Sequence, residues 1–405
     1  MTTHFHTCTK VANTIQHKKR RTFFYIAIIL VTITSSLFSR SLEATSSINE
    51  HRSAASSENN NQGIPLWALE NAKPLRATPS VGEEVALFWH IPKSGGTTSQ
   101  TLATAAGKGR RFVPDNNQIL VFNPYGTGKY VNVDTSSREG LIRAAEMKLV
   151  QSGKADIIFT TDVKFAVETL FDKDHPGRLF AIFRHPIHRL VSKFYYMQSA
   201  NWERSYDPKL KDMTLLDWAT QYNTDNNFFL EKLSGKMYYE MKERDLREAM
   251  RTLRKRFIVG LTEEMEESIR RFNIVMGVDY MSEAKVDCMS TYFGDDVEKK
   301  ENSHAHPSVR IEFAMILWLF LLQFTNLLFT PKIEEGSPEW RVLYHKNELD
   351  IKLYEYVVKL FASQKDVIDE FTVQHLLHLE KKVTQLFRQV NRNKRDGGKV
   401  KEPTL

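Results

Sequence analysis

A lysine, two glycines and two threonines close one apolar run in the stretch Ala86-Leu-Phe-Trp-His-Ile-Pro-Lys-Ser-Gly-Gly-Thr-Thr, residues 86–98. These residue types suit a strand that delivers a tight turn around a phosphate. Gly95 and Gly96 let backbone N–H groups close on an anion. Lys93 supplies a point charge, while Ser94, Thr97 and Thr98 bring hydroxyls to the N-terminus of a helix. The nucleoside-triphosphate loop carries its lysine last, as G-x-x-x-x-G-K-[ST]. Here Lys93 precedes the glycines, and the sequence contains no match to that loop.

Residues 178–197 hold a second constellation, Arg-Leu-Phe-Ala-Ile-Phe-Arg-His-Pro-Ile-His-Arg-Leu-Val-Ser-Lys-Phe-Tyr-Tyr-Met. The continuous apolar run 179–183 marks a buried parallel strand. Pro186 suits the first turn of a helix, where its missing N–H costs nothing. Leu190, Phe194 and Met197 follow at helical spacing. Arg184 therefore sits at the C-terminal end of a strand and Ser192 in the helix after it. Ligands of open α/β sheets bind at the carboxyl ends of strands, where a guanidinium and a hydroxyl can hold a second phosphate.

The two stretches together resemble the sulfotransferases that use 3′-phosphoadenosine 5′-phosphosulfate (PAPS). In that family the first loop binds the 5′-phosphosulfate, and an Arg…Ser pair eight residues apart binds the 3′-phosphate. The segment His90-Ile-Pro-Lys-Ser-Gly-Gly-Thr is similar to the version in membrane-bound, carbohydrate-modifying members related to heparan sulfate 2-O- and 6-O-sulfotransferases. The resemblance continues in Asp225-Asn-Asn-Phe-Phe-Leu-Glu-Lys-Leu-Ser-Gly, in Phe257-Ile-Val-Gly-Leu-Thr-Glu with Glu267-Ser-Ile-Arg-Arg-Phe, and in Asn347-Glu-Leu-Asp with Leu353-Tyr-Glu-Tyr. It spans about 85–365, and two motifs in order within fitting strand–helix contexts are specific where one alone is weak.

The resemblance implies roles for these residues. Lys93 would stabilise charge growing on the leaving phosphate during in-line sulfuryl transfer. Ser94, Gly95, Gly96, Thr97 and Thr98 would surround the 5′ end of PAPS, and Arg184 with Ser192 would fix its 3′-phosphate. No metal is implied, because the cation is built in, and no Cys/His spacing indicates a metal site. A base should take the acceptor proton. Relatives often place a histidine after the strand that precedes the Arg motif; here the strand at 155–161 is followed by Asp162. An ordinary carboxylate is a weak base near neutral pH, and His90 is the alternative. Plainer roles stand beside these: an exposed loop charge for Lys93, a surface ion pair for Arg184, a solvated helix position for Ser192, a core position for His90, and a helix N-cap for Asp162.

The elements that must position this chemistry form a three-layer, P-loop-like α/β domain with a central parallel sheet. Strands are expected at about 85–91, 155–160, 179–183 and 256–260. Helices are expected near 97–106, 138–151, 187–198, 242–254, 263–276 and 341–362. The helix- and loop-rich segments 202–254 and 281–301 would help form an acceptor cleft.

The chain's 405 residues, 41% of them hydrophobic, are enough for one large domain with appendages. Lys10, Lys18, Lys19, Arg20 and Arg21 precede the apolar run 23–38, which as a helix would measure about 24 Å. That is a little short of the hydrocarbon core, but short spans are tolerated by local thinning. The expected layout is a cytoplasmic tail (1–21), a signal-anchor helix (22–39), a disordered stem (40–82), the sulfotransferase domain (83–365) and a helical then basic tail (366–405). The positive flank faces the cytoplasm, which makes a single-pass type II protein of the Golgi membrane with a lumenal domain. A cleaved signal peptide is the alternative.

The chain's two cysteines, Cys8 and Cys288, fall on opposite sides of such a membrane and should not pair. No N-x-[ST] sequon occurs. The net charge of +7 is spread widely, and a charge run alone does not make a nucleic-acid site. A second apolar run, at 313–329, reads as another span, as a buried or docking helix, or as an insertion foreign to the fold. The insertion is favoured: residues 308–331 separate His306-Pro307 from Lys332-Ile-Glu-Glu-Gly-Ser, which lie close together in the family. These residues then read as a translated retained intron, tested by sequencing spliced transcripts across codons 300–340. The function expected is transfer of a sulfuryl group from PAPS to a carbohydrate hydroxyl. A noncatalytic PAPS- or PAP-binding lumenal protein, or a nucleotide-dependent kinase, is the alternative.

Overall fold

The computed structural model of the chain describes residues 63–80, 84–95, 106–107, 119–122, 130–201, 206–222, 225–277 and 333–374. All fall within the compact unit Gly63–Leu376. The expected anchor, residues 40–62 of the stem, most of the helix at 97–106, residues 281–301 and 308–331, and the basic tail lie outside the described residues.

The protein is mixed α/β, built on a small parallel sheet. The strands are β1 (Ala86–Trp89), β2 (Ala106–Gly107), β3 (Val121–Phe122), β4 (Tyr130–Val131), β5 (Ile157–Thr160), β6 (Arg178–Phe183) and β7 (Phe257–Leu261). The sheet order is β2-β5-β1-β6-β7, every pair parallel, while β3 and β4 pair antiparallel on their own. The helices are α1 (Leu66–Asn71), α2 (Arg138–Glu146), α3 (Val163–Leu170), α4 (Pro186–Ser199), α5 (Leu215–Gln221), α6 (Phe228–Ser234), α7 (Glu243–Arg256), α8 (Met265–Met276), α9 (Pro338–Lys346) and α10 (Glu348–Ser363).

The four main strands carry unbroken apolar runs because both faces of the sheet are covered. Leu87, Trp89, Leu179, Ala181, Phe183, Phe257 and Val259 point into one core with residues of α1, α2, α3, α6, α7 and α10. Their neighbours Ala86, Phe88, Phe180, Ile182 and Ile258 point into a second core with Ile269, Phe272, Val275, Val367, Ile368 and Phe371. The register aligns the strand ends: Trp89 lies opposite both Thr160 and Ala181, and Phe183 opposite Leu261. Two further bonds extend this alignment past the strands, His90 N–H to the Thr160 carbonyl at 2.7 Å and Thr262 N–H to the Phe183 carbonyl at 2.9 Å. The chain leaves β1 toward β5 on one side and returns to β6 on the other. The crevice for a ligand therefore opens above β1, where the strand order reverses.

The structure departs from expectation in four places. Ala106 lies in an edge strand rather than at the end of a helix. The helix starting at 138 ends at Glu146, before left-handed Lys148 (φ 53°). Helix α1 falls in the stretch expected as disordered stem, and its Trp67 and Ala68 are buried in the core. The single helix expected over 341–362 is two, broken at Asn347.

That break is a reciprocal cap. Asn347 is fully buried with a non-helical backbone. Its Oδ1 accepts from the Asn227 N–H (3.0 Å), and its Nδ2 donates to the Leu343 carbonyl (2.9 Å). Asn227, itself left-handed at φ 51°, returns its Oδ1 to the N–H groups of Leu349 and Asp350. The Asp350 carboxyl accepts from the N–H groups of Phe229 (2.7 Å) and Leu230 (2.9 Å). Helices α6 and α10 thus satisfy each other's orphan donors, side chain to backbone.

Candidate active site

The aligned strand ends bring the two sequence constellations together. Trp89 anchors the end of β1; it is fully buried, with Phe183, Phe229 and Phe257 at ring-centroid distances of 5.6, 6.4 and 6.3 Å. The chain then turns, with Ser94 N–H donating to the Ile91 carbonyl at 3.2 Å. Lys93 takes a left-handed φ of 68°, a conformation that costs a lysine about 1–3 kcal/mol. Gly95 is also left-handed at φ 74°, the backbone conformation that favours glycine in this turn.

Arg184 leaves the end of β6, and its Nη1 donates to the Lys93 carbonyl at 3.2 Å. Both cations are largely buried. Burial, then repulsion from Arg184, lowers the Lys93 ammonium from 10.5 to about 8. Burial lowers Arg184 as well, opposed by the Glu263 carboxylate and Tyr354. Tyr354 donates its hydroxyl to Glu263 Oε2 at 3.2 Å, and burial pushes its own ionisation up.

Helix α4 supplies the wall. Pro186 opens it, and Ile187, Leu190, Val191, Phe194 and Met197 pack against Trp218, Leu343 and Ile351. Buried Ser192 lies one turn before Tyr196 on the same helix face, and the Lys93 Nζ sits 4.1 Å above the Tyr196 ring centroid. The Ser94 hydroxyl is 1% exposed as a residue and finds no hydrogen-bond partner among the described residues. Buried polar groups are ordinarily paired. An unpaired hydroxyl in the turn that carries Lys93, itself bonded to Arg184, fits an oxyanion. Gly96, Thr97 and Thr98 lie outside the described residues.

The two candidate bases lie just past the ends of β1 and its neighbour β5. His90 follows that strand and is half-buried. Asp162 precedes α3 without capping it through its side chain. Its carboxylate instead accepts from Arg138 Nε at 2.8 Å, an exposed guanidinium that also covers the Phe165 ring at 4.8 Å. Among the described residues no group of three His, Cys, Asp or Glu side chains is placed to hold a metal ion, and no helix is long and apolar enough to cross a membrane.

Several residues here carried no role in the sequence. Tyr196 is one, although its spacing four after Ser192 was a signal. Glu263 and Tyr354 lay in quoted motifs, but only β7 and α10 bring them to Arg184. His185 and His188 form a third group, with ring centroids 4.8 Å apart; His185 stacks on Trp340 at 5.5 Å and 18°. Burial, then His188, lowers His185 to about 4, so it is neutral at physiological pH.

No protein-family model matches the chain, and no curated protein is significantly similar to it.

Proposed function

We propose that the protein is a sulfotransferase that moves a sulfuryl group from PAPS to a hydroxyl of a glycan in the lumen of the secretory pathway. The observation that carries this reading is the convergence of Lys93 and Arg184 from adjacent parallel strands, joined at 3.2 Å. On this reading the covered sheet is the three-layer, P-loop-like sulfotransferase fold. Residues 22–39 anchor the chain in the Golgi membrane as a single-pass type II protein, and neither metal nor nucleic acid takes part.

PAPS supplies the sulfuryl group. Lys93 and the N–H groups of its turn neutralise the charge that grows on the leaving phosphate as its bond to sulfur breaks and the acceptor oxygen bonds instead. Arg184 and Ser192 hold the 3′-phosphate and so select the donor. Asp162 or His90 takes the acceptor proton. The solubilised full chain, incubated with labelled PAPS and a glycan panel, should label an acceptor, read by mass spectrometry. Lys93→Ala should lower transfer at least about 100-fold with an unchanged circular-dichroism melt; near-wild-type rates in that variant would refute the role. The ion pair of Asp162 with Arg138 favours a second reading, a noncatalytic PAPS- or PAP-binding protein. Donor binding with no transfer to any glycan would decide for it.

A further inference from the structure

Lys93 is fixed at both ends. Its left-handed backbone is tied to Arg184 through the carbonyl, and its ammonium rests on a ring contributed by a different element. That element is α4, whose buried face packs with Trp218, Leu343 and Ile351 and has Tyr196 partly buried against the same cluster. A lysine stem has four flexible methylenes, and a buried ammonium beside a guanidinium is driven to swing outward into water. An aromatic face opposes that motion: it offers a cation negative quadrupole density without neutralising its charge, as a carboxylate would. The charge stays available for an incoming anion.

We propose that Tyr196 is the positioning residue for Lys93, its ring face holding the ammonium at the mouth of the crevice before any anion arrives. The consequence for donor binding rests on the sulfotransferase reading; the hold itself belongs to the free chain. Arg184 is the charged group that acts on Lys93. Arg184 in turn faces Glu263 and Tyr354, and His188 faces both Arg184 and Glu263. The ring favours the ammonium, whereas burial and Arg184 oppose it.

The test is pH-dependent trace acetylation of Lys93 in the full chain, read by peptide mass spectrometry. Tyr196→Leu should lower the protonation constant of Lys93 roughly two- to thirty-fold, while Tyr196→Phe, which keeps the face, stays within about twofold of wild type. A leucine variant that titrates like wild type overturns the proposal. So does a phenylalanine variant shifted as far as the leucine one, since the hydroxyl would then be responsible. If Tyr196→Leu does not fold, Tyr196→Met carries the same expectations. Binding of PAP is measured in parallel by calorimetry. A titration shift without PAP binding to the unsubstituted chain removes the donor reading and leaves the hold standing. PAP binding without a titration shift does the reverse.

Discussion

On the proposed reading, Arg184 and Lys93 divide the work of anion recognition by geometry. A guanidinium presents a fixed fork of donors, while an ammonium is a point charge. Arg184→Ala should therefore weaken binding of 3′-phosphorylated nucleotide by roughly 10- to 150-fold, the range for a charged hydrogen bond, and change 5′-monophosphate binding by less than about threefold. Equal losses, measured by calorimetry, would count against a 3′-phosphate role. Lys93 makes a pH prediction. Its ammonium titrates near 8 in the free chain, and a bound anion raises that value, so the complex takes up a proton on forming. Affinity for PAP should fall as pH rises through 8, by at most about tenfold per unit, with uptake of about half a proton at pH 8. Calorimetry in buffers of different ionisation enthalpy measures the uptake; none at pH 8 would mean that Lys93 does not meet the anion.

At the level of elements, the motifs quoted downstream of the loops divide into two kinds. Asn227, Asn347 and Asp350 hold α6 against α10 and touch no part of the crevice through any bond described above. Asn347→Ala strands the Asn227 N–H and the Leu343 carbonyl in the core, and should cost about 2–3 kcal/mol in a denaturant melt. A loss under about 0.5 kcal/mol would mean that the cap is redundant. Glu263 and Tyr354, by contrast, act on Arg184 from just past β7 and from within α10. The polar stretch His345-Lys-Asn-Glu interrupts the apolar spacing at the break, but a short polar stretch fits the solvent face of one helix as well as a boundary between two. The distinction lies in a partner more than a hundred residues away. The four main strands and α4 were legible to within two residues, since burial on both faces and Pro186 write themselves into local sequence.

Across the whole molecule, two buried carboxyl groups make stability depend on pH in opposite senses. Burial raises Asp350 to about 7, against the pull of its two backbone donors. A raised carboxyl contributes stability that is full below its unfolded value, near 4, and is lost as pH climbs to 7. Burial also pushes Asp225 up, but Arg189 and Lys193, 3.1 and 2.7 Å away, outweigh it and bring the group to about 2. That contribution, about 2 kcal/mol, is present above pH 4 and lost as pH falls toward 2. Asp350→Asn should flatten the decline between pH 4 and 7, a slope of at most about 1.4 kcal/mol per unit. Thermal melts across that range measure it, and parallel curves for the two proteins would place Asp350's titration elsewhere.

The sequence by itself determined the four main parallel strands, the glycine-bearing turn after the first, and the placement of Arg184 at a strand end and Ser192 in the helix after it. Those features are local: a strand buried on both faces is a run of apolar residues, and a tight turn is a short list of residue types. Only the tertiary structure decided which side chains meet. It set Tyr196 under the Lys93 ammonium, brought Glu263 and Tyr354 to Arg184, bound Asp162 to Arg138, and split one helix at Asn347. Each of these depends on how separate elements pack together, which the spacing of residues within one element does not fix.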